Sequence, residues 1–279
     1  MTLLNFTLIT FFVSIAAGVL GSLLGLGGGI VIVPFLTLCF GIDIRYAVGA
    51  SIVSVIATST GAAVAYIRER MTNMRVAMFL EIATASGALT GAYLTGVIPT
   101  RGLYIIFGLV LGYSAILMYL KRHEKSSTNV PPDALSDRLR LHDTFFDEAT
   151  GNEHKYRVTG SRTGFFLMYI AGILSALLGI GSGSLKVPAM DLIMRLPIKV
   201  STATSNFMIG VTAAASAGVY FSRGQIDPWI AGPVVTGVLL GATLGSKLLG
   251  RIQGVWIRSL FVIVMLWVSA QMLFKGIRG

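Results

Sequence analysis

Charge is scarce in this chain. Asp, Glu, Lys and Arg make up 12% of its 279 residues, apolar residues make up 54%, and the mean hydropathy is +0.78. That is more apolar surface than one water-soluble core can hide. Cysteine occurs once, at Cys39, which excludes an internal disulfide and a cysteine-based metal cage. Histidine occurs three times, and His123, His142 and His154 all fall in one polar stretch, so no Ser–His pair can form inside the apolar segments. The run "GSGSLK" at 181–186 lacks the G-x-x-x-x-G-K-[ST] spacing of a phosphate loop, so ATP is not the direct energy source here. Stretches of about ten alternating polar and apolar residues are also missing, and with them the signature of a closed β-barrel.

What remains is an all-α integral membrane protein. Apolar runs of about 18 residues or more, long enough to cross the hydrocarbon as helices, lie at roughly 3–24, 46–67, 76–97, 102–120, 163–180, 202–221, 229–250 and 256–274. The first lacks the basic start and small-residue cleavage site of a secretory signal and is expected to be retained. The formal charge of +10 sits mostly beside apolar runs, where Lys and Arg anchor helices at lipid headgroups. Membrane lipids, and not nucleic acid, are the partners that charge implies.

A shift of 154 positions aligns residues 18–121 with 172–275 without a gap, and about a quarter of the pairs are identical. Among them are Gly25/Gly179, Gly27/Gly181, Gly29/Gly183, Pro34/Pro188, Ser51/Ser205, Thr58/Thr212 and Tyr66/Tyr220. The chain therefore reads as two membrane repeats of four to five segments, 1–121 and 163–279, joined by a soluble linker at 122–162. The linker carries Pro131-Pro132 and seven acids, and "FFDEATGNEHKYRV" places a Thr-Gly-Asn turn between two polar-aromatic strands, the pattern of a small β-hairpin.

Orientation follows where Lys and Arg fall in short loops. Four crossings per repeat would leave Arg45, Arg101, Arg195, Lys199, Lys247, Arg251 and Arg258 outside, against the positive-inside rule. An odd number of crossings inverts the second repeat. The linker then lies in the cytoplasm with Arg68, Arg70, Arg75, Arg195 and Lys199, so the charges favour inverted repeats.

Each repeat opens with a broken apolar segment, "GLGGGIVIVP" at 25–34 and "GIGSGSLKVP" at 179–188. Irregular backbone at membrane depth must be buried in protein or line a wet cavity, and helix starts exposed there attract anions. Gly25, Gly27, Gly28, Gly29 and Pro34, with Gly179, Gly181, Ser182, Gly183 and Pro188, are thus expected near the midplane as parts of one substrate site. Lys186 is a charge inside the second break, able to face an anionic substrate or to pair with Asp191. Glu81, alone in an apolar run, could carry a coupling proton or serve a structural hydrogen bond. Ser51, Ser205 and Asn206, among several hydroxyls and amides following the breaks, could ligate sulfonyl or carboxyl oxygens, or bond backbone carbonyls. Gly87/Gly91 and Gly237/Gly241/Gly245 read as close helix packing. Lys275 is read as part of a terminal tail.

These two glycine–proline phrases, each followed by a Ser/Thr-rich helix, resemble the TauE/SafE sulfite exporter family, also called toluene sulfonate uptake permeases. The resemblance covers nearly the whole chain apart from the linker. It implies a multi-pass secondary carrier of small sulfur-containing anions in the cytoplasmic membrane of bacteria or archaea. It also points at the glycines and prolines of both breaks as site residues. Ser182 and Ser184 depart from the first copy, where Gly28 and Ile30 stand. The expected partners are a small anionic solute and a coupling proton or sodium ion, with no cofactor and no metal. The oligomeric state stays open. The competing classes are an anion channel and an intramembrane hydrolase built on Ser184 and Lys186.

Overall fold

A computed structural model describes residues 3–120, 133–147, 151–249, 252 and 254–278. His123, the Pro131-Pro132 pair, Thr150 of the turn and Arg251 lie outside the described residues. Ten helices of the membrane part are α1 (Leu3–Leu24), α2 (Gly29–Cys39), α3 (Ile44–Arg68), α4 (Met74–Leu94), α5 (Thr100–Leu120), α7 (Ser161–Leu178), α8 (Gly183–Pro188), α9 (Ile198–Ser222), α10 (Pro228–Leu249) and α11 (Gly254–Arg278). A π-helical turn, Ala189–Ile193, extends α8. Between the two groups lie α6 (Ala134–Arg138) and strands β1 (Asp143–Asp147) and β2 (Asn152–Tyr156), paired antiparallel with Asp143 opposite Tyr156.

Among the described residues, seven helices are long and apolar enough to span a membrane: α1, α3, α4, α5, α7, α10 and α11. The eighth long helix, α9, matches α3 in length but buries Ser201, Thr202, Thr204, Ser205, Asn206, Thr212 and Ser216. A helix this polar is stable at membrane depth only where protein surrounds it.

Glycines set the closest contacts. In α10, a methyl group on Gly241 would lie 2.0 Å from the Ile15 carbonyl oxygen of α1, and in α4 one on Gly91 would lie 2.2 Å from the Ile173 carbonyl oxygen of α7. Only hydrogen fits there, so α1 seats against α10 and α4 against α7 along small-residue seams.

Contacts between helix ends fix the directions. The Asn73 amide, just before α4, donates to Thr204 Oγ1 near the start of α9 (3.1 Å), and Arg223, just after α9, donates to the Ala92 carbonyl at the far end of α4 (2.8 Å). Helices α4 and α9 therefore run in the same direction. Arg101 at the start of α5 donates to the carbonyls of Gly276 and Ile277 at the end of α11, so those two helices run antiparallel. The Phe6 ring of α1 meets Phe40, just past α2, edge-on at 4.8 Å, so α1 and α2 form a hairpin that returns to its own starting side. At the other hairpin, the Thr159 amide before α7 donates to the Met194 carbonyl after the π turn (3.2 Å). Lys275 is not in a loose tail: α11 continues to Arg278, and the Lys275 ammonium donates to the Thr37 carbonyl in the last turn of α2.

The linker elements dock where α4 and α9 begin. Phe145, Tyr156, Leu141 and Val158 join Val76, Leu80, Met190, Met194 and Met208 in a second apolar core. Asn73 ties the layers together, accepting from the Val76 amide as helix cap and donating to the Leu141 carbonyl and the Tyr156 hydroxyl. Lys199, 3% exposed, donates to Asp147 at 2.6 Å. Burial alone would raise the Asp133 carboxyl, but hydrogen bonds from Ser161, Leu135 and Ser136 outweigh it and hold it at about 2, so it stays an anionic anchor for α6 and α7.

The seams and breaks predict a sharp contrast between glycines. Gly183→Ala would place a methyl 1.9 Å from the Gly25 carbonyl oxygen, whereas Gly232 in α10 has open space around it. Gly183→Ala is expected to lower stability by about 1–3 kcal/mol or more, and Gly232→Ala to leave it equal or raised by up to about 1 kcal/mol. Thermal melting in detergent reads both.

Candidate functional site

The two breaks meet face to face in the interior. In the first, Gly25, Gly27 and Gly28 take left-handed backbone (φ 70°, 79° and 71°); in the second, Gly179, Gly181 and Ser182 do so (67°, 73° and 59°). Ser182 accepts a conformation that costs an L-residue roughly 1–2 kcal/mol. Pro34 lies within α2, and Pro188 ends α8 just before the π turn.

Breaking a helix frees carbonyls that lipid cannot satisfy. Here each break draws side-chain donors both from its own half and from the opposite half of the chain. Ser51 of α3 donates to the Gly179 carbonyl at 2.5 Å, and Ser205 of α9 donates to the Gly25 carbonyl at 2.8 Å. Asn206 Nδ2 donates to the Ser22 carbonyl at 2.6 Å, and Thr58 lies 3.1 Å from the Gly27 carbonyl. Below them, Tyr66 donates to the Ser22 carbonyl (3.0 Å) and Tyr220 to the Ala176 carbonyl (2.5 Å). Of the donors pictured on a substrate, Ser51 and Ser205 thus spend their only hydroxyl proton on backbone, and Asn206 keeps one N–H.

Around this crossing the packing is apolar. Val55 and Ile209 side chains stand within 3.4 Å of where a methyl on Gly181 would sit, and Val48 does the same at Gly179. The sequence suggested a hydrated hollow at this point; in this conformation Val48, Val55 and Ile209 close it. A crevice of about 500 Å³ does flank the second break, between Leu109 and Tyr113 of α5, Ile170 of α7, and Leu185 and Pro188. Its walls are mostly apolar, with Tyr113 the one side chain among them that carries a hydroxyl, and no charged side chain lines it.

One polar cluster lies beside the second break. Lys186 of α8 is fully buried, and its Nζ donates to Thr212 Oγ1 of α9 at 2.6 Å. Thr212 donates in turn to Glu81 Oε1 of α4 at 2.7 Å, with Thr84 Oγ1 at 3.4 Å. Lys186 Nζ lies 3.8 Å from Glu81 Oε2, which accepts no hydrogen bond. The cluster joins three elements, and each contributes one of the groups a buried charge needs: a cation, a counter-charge and a bridging hydroxyl.

The carboxylate that Lys186 reaches is therefore Glu81, 105 positions earlier, while Asp191 lies buried on the π turn. Thr84 was not anticipated. The pairing had a readable signal, since opposite charges that each interrupt an apolar run are expected to find one another. Lys186 directs its ammonium at Thr212, and Ser184 Oγ makes no hydrogen bond, so no Ser–Lys dyad is assembled.

The family model described as "Sulfite exporter TauE/SafE" matches residues 10–272. The chain is 31% identical over 268 residues to "Probable membrane transporter protein YunE" of Bacillus subtilis (strain 168), covering 94% of this chain and 95% of that protein. It is 27% identical over 244 residues to "Probable membrane transporter protein YdhB" of the same organism, covering 87% and 90%. A match to "Probable membrane transporter protein MJ0441" of Methanocaldococcus jannaschii is 26% identical over 256 residues, covering 86% and 85%. No solved structure matches significantly.

Removing the donor that serves a break strands a buried carbonyl. Ser51→Ala and Ser205→Ala are each expected to cost about 1–3 kcal/mol. Ser86→Ala, exposed on α4 and bonded only within its own helix, is expected to change stability by less than about 0.5 kcal/mol. Detergent melting curves of the three variants give the comparison.

Proposed function

The chain belongs to the sulfite exporter TauE/SafE family, and from that membership we propose that it is a secondary carrier moving small sulfur-containing anions, such as sulfite, sulfonates and sulfoacetate-like solutes, by alternating access. It is a multi-pass membrane protein whose relatives are named as membrane transporters. The observation that carries the reading is Lys186. A cation held fully buried beside a break in a spanning segment is costly, and it supplies what a small anion needs at membrane depth. The anion binds on Lys186 at the second break once the crossing of the breaks opens, and Gly25, Gly27, Gly28, Gly29, Gly179, Gly181, Ser182 and Gly183 let the backbone approach it.

Two inverted repeats supply the moving parts. The starts of α3, α4 and α5 lie 154 positions before those of α9, α10 and α11, and α1 on α10 mirrors α7 on α4. Each hairpin of broken helices returns to its starting side, leaving three crossings per repeat, which inverts the second copy. The linker, Arg75, Arg195 and Lys199 then share the cytoplasmic face. The closure of the crossing by Val55 and Ile209 supports reading this conformation as an occluded one. Rocking of the repeats would open it to either side.

Protein reconstituted in liposomes tests the proposal with sulfite and methanesulfonate as probes. Saturable counterflow is expected, and Lys186→Ala should reduce it by about thirtyfold or more, the effect of deleting one member of a buried charged contact. Lys155→Ala, exposed on β2, should leave it within about twofold. Conductance without counterflow would make the protein a channel, and equal counterflow in Lys186→Ala would remove the lysine from the site.

A further inference from the structure

We propose that Glu81 and Lys186 form a coupling switch: a monovalent anion takes Lys186 only as Glu81 takes a proton, so that one proton travels with each anion. This rests on the carrier reading above and adds to it the coupling ion and the stoichiometry.

The argument begins with counting charge. In the structure Lys186 and Glu81 cancel one another within the membrane interior. An anion added to that pair would leave a net negative charge in hydrocarbon, which costs several kcal/mol. Protonation of the Glu81 carboxylate restores neutrality, with the ammonium of Lys186 now balanced by the anion. The proton comes from the aqueous side to which the site is open, forms an O–H bond on the carboxylate, and leaves with the anion when the site opens to the other side. No other bond is made or broken.

Geometry supplies the atoms. Glu81 Oε1 is held by Thr212, whereas Oε2 accepts no hydrogen bond and is the free position for a proton. Lys186 lies 3.8 Å from Oε2, beyond hydrogen-bond reach, and uses one of its three N–H donors on Thr212. Two N–H groups remain for an incoming oxyanion. Thr212 touches both members, so loss of charge on the carboxylate is felt directly at the ammonium. A pair clamped by two short bonds could not exchange partners so readily.

Other charged groups near this region are accounted for. Helix α8 presents Lys186, α9 presents Thr212 here and carries Lys199 at its start, where Asp147 holds it. Helix α7 offers only Arg162, exposed in its first turn, and α4 carries Arg75 at its start, donating to the Arg140 carbonyl. Among the described residues the other buried acid is Asp191 on the π turn, which makes it the necessary control.

The test is a proton count. Methanesulfonate has a charge that does not titrate near neutrality, and its binding to the wild-type protein in detergent is measured by calorimetry in two buffers of different ionisation heat. About one proton taken up per anion is expected; the same buffers serve for sulfite after correction for its own ionisation. In liposomes, an inside-alkaline gradient should drive methanesulfonate accumulation that a valinomycin clamp does not alter. Glu81→Gln should bring proton uptake close to zero, and Asp191→Asn should leave it near one. Wild-type binding with no proton uptake overturns the coupling, as does uptake lost in Asp191→Asn and kept in Glu81→Gln. Should Glu81→Gln fail to fold, the wild-type count decides alone. If neither sulfite nor methanesulfonate binds or exchanges, the carrier reading falls and the coupling with it; exchange without proton movement sinks the coupling only.

Discussion

Everything in this molecule answers to the rule that a backbone carbonyl in hydrocarbon must find a donor. Interrupting two apolar segments with glycine frees several such groups in the buried interior of the helix bundle. The chain solves this by crossing: Ser51 serves the break at Gly179, and Ser205 serves the break at Gly25. Each half serves part of its own interruption, through Thr58, Tyr66 and Tyr220, but the Gly25 and Gly179 carbonyls take their side-chain donors from the other half. The exchange locks α3 and α9 together at the centre, and it explains why the hydroxyl-rich helix α9 can sit in a membrane protein at all. From Ser201 to Ser216 its polar side chains are buried in protein: Ser205 and Asn206 bond backbone carbonyls, and Thr212 bonds Lys186 and Glu81.

The same constraint acts on charge. Lys186 and Glu81 tolerate burial because each offsets the other, with Thr212 and Thr84 filling part of the remaining hydrogen-bond capacity. Beneath them, the linker elements cover the ends of α4 and α9. Asn73 and the Lys199–Asp147 pair join that cover to the two helices that carry Glu81 and Thr212. Any movement of α9 against α4 would have to break or stretch the Asn73–Thr204 and Thr212–Glu81 bonds that span the two helices.

Much of the architecture was legible in the sequence because hydrocarbon sorts residues by polarity along the chain. Seven of the eight apolar runs correspond to helices long and apolar enough to span a membrane, the run at 202–221 falls on the long but more polar α9, and the two glycine-rich phrases correspond to two helix interruptions with left-handed backbone. The packing glycines Gly87, Gly91, Gly237, Gly241 and Gly245 sit in helix seams. Less legible was what the polar groups touch. Of the two roles open to the hydroxyls, Ser51 and Ser205 serve backbone carbonyls, and the lysine that had an acid five residues away reached one on another helix. Periodicity carries no information about contacts 105 or 128 positions apart.

The sequence by itself determined that this chain lives in a membrane, where its helices run and where they break, because the cost of exposing polar groups to lipid is paid locally, residue by residue. Only the tertiary structure decided which carbonyl each serine satisfies, that Glu81 is the partner of Lys186, and that Val55 and Ile209 close the space where the breaks cross. Those outcomes depend on how helices from distant parts of the chain approach one another, and hydrogen bonds and ion pairs act only over the few ångströms that such an approach creates.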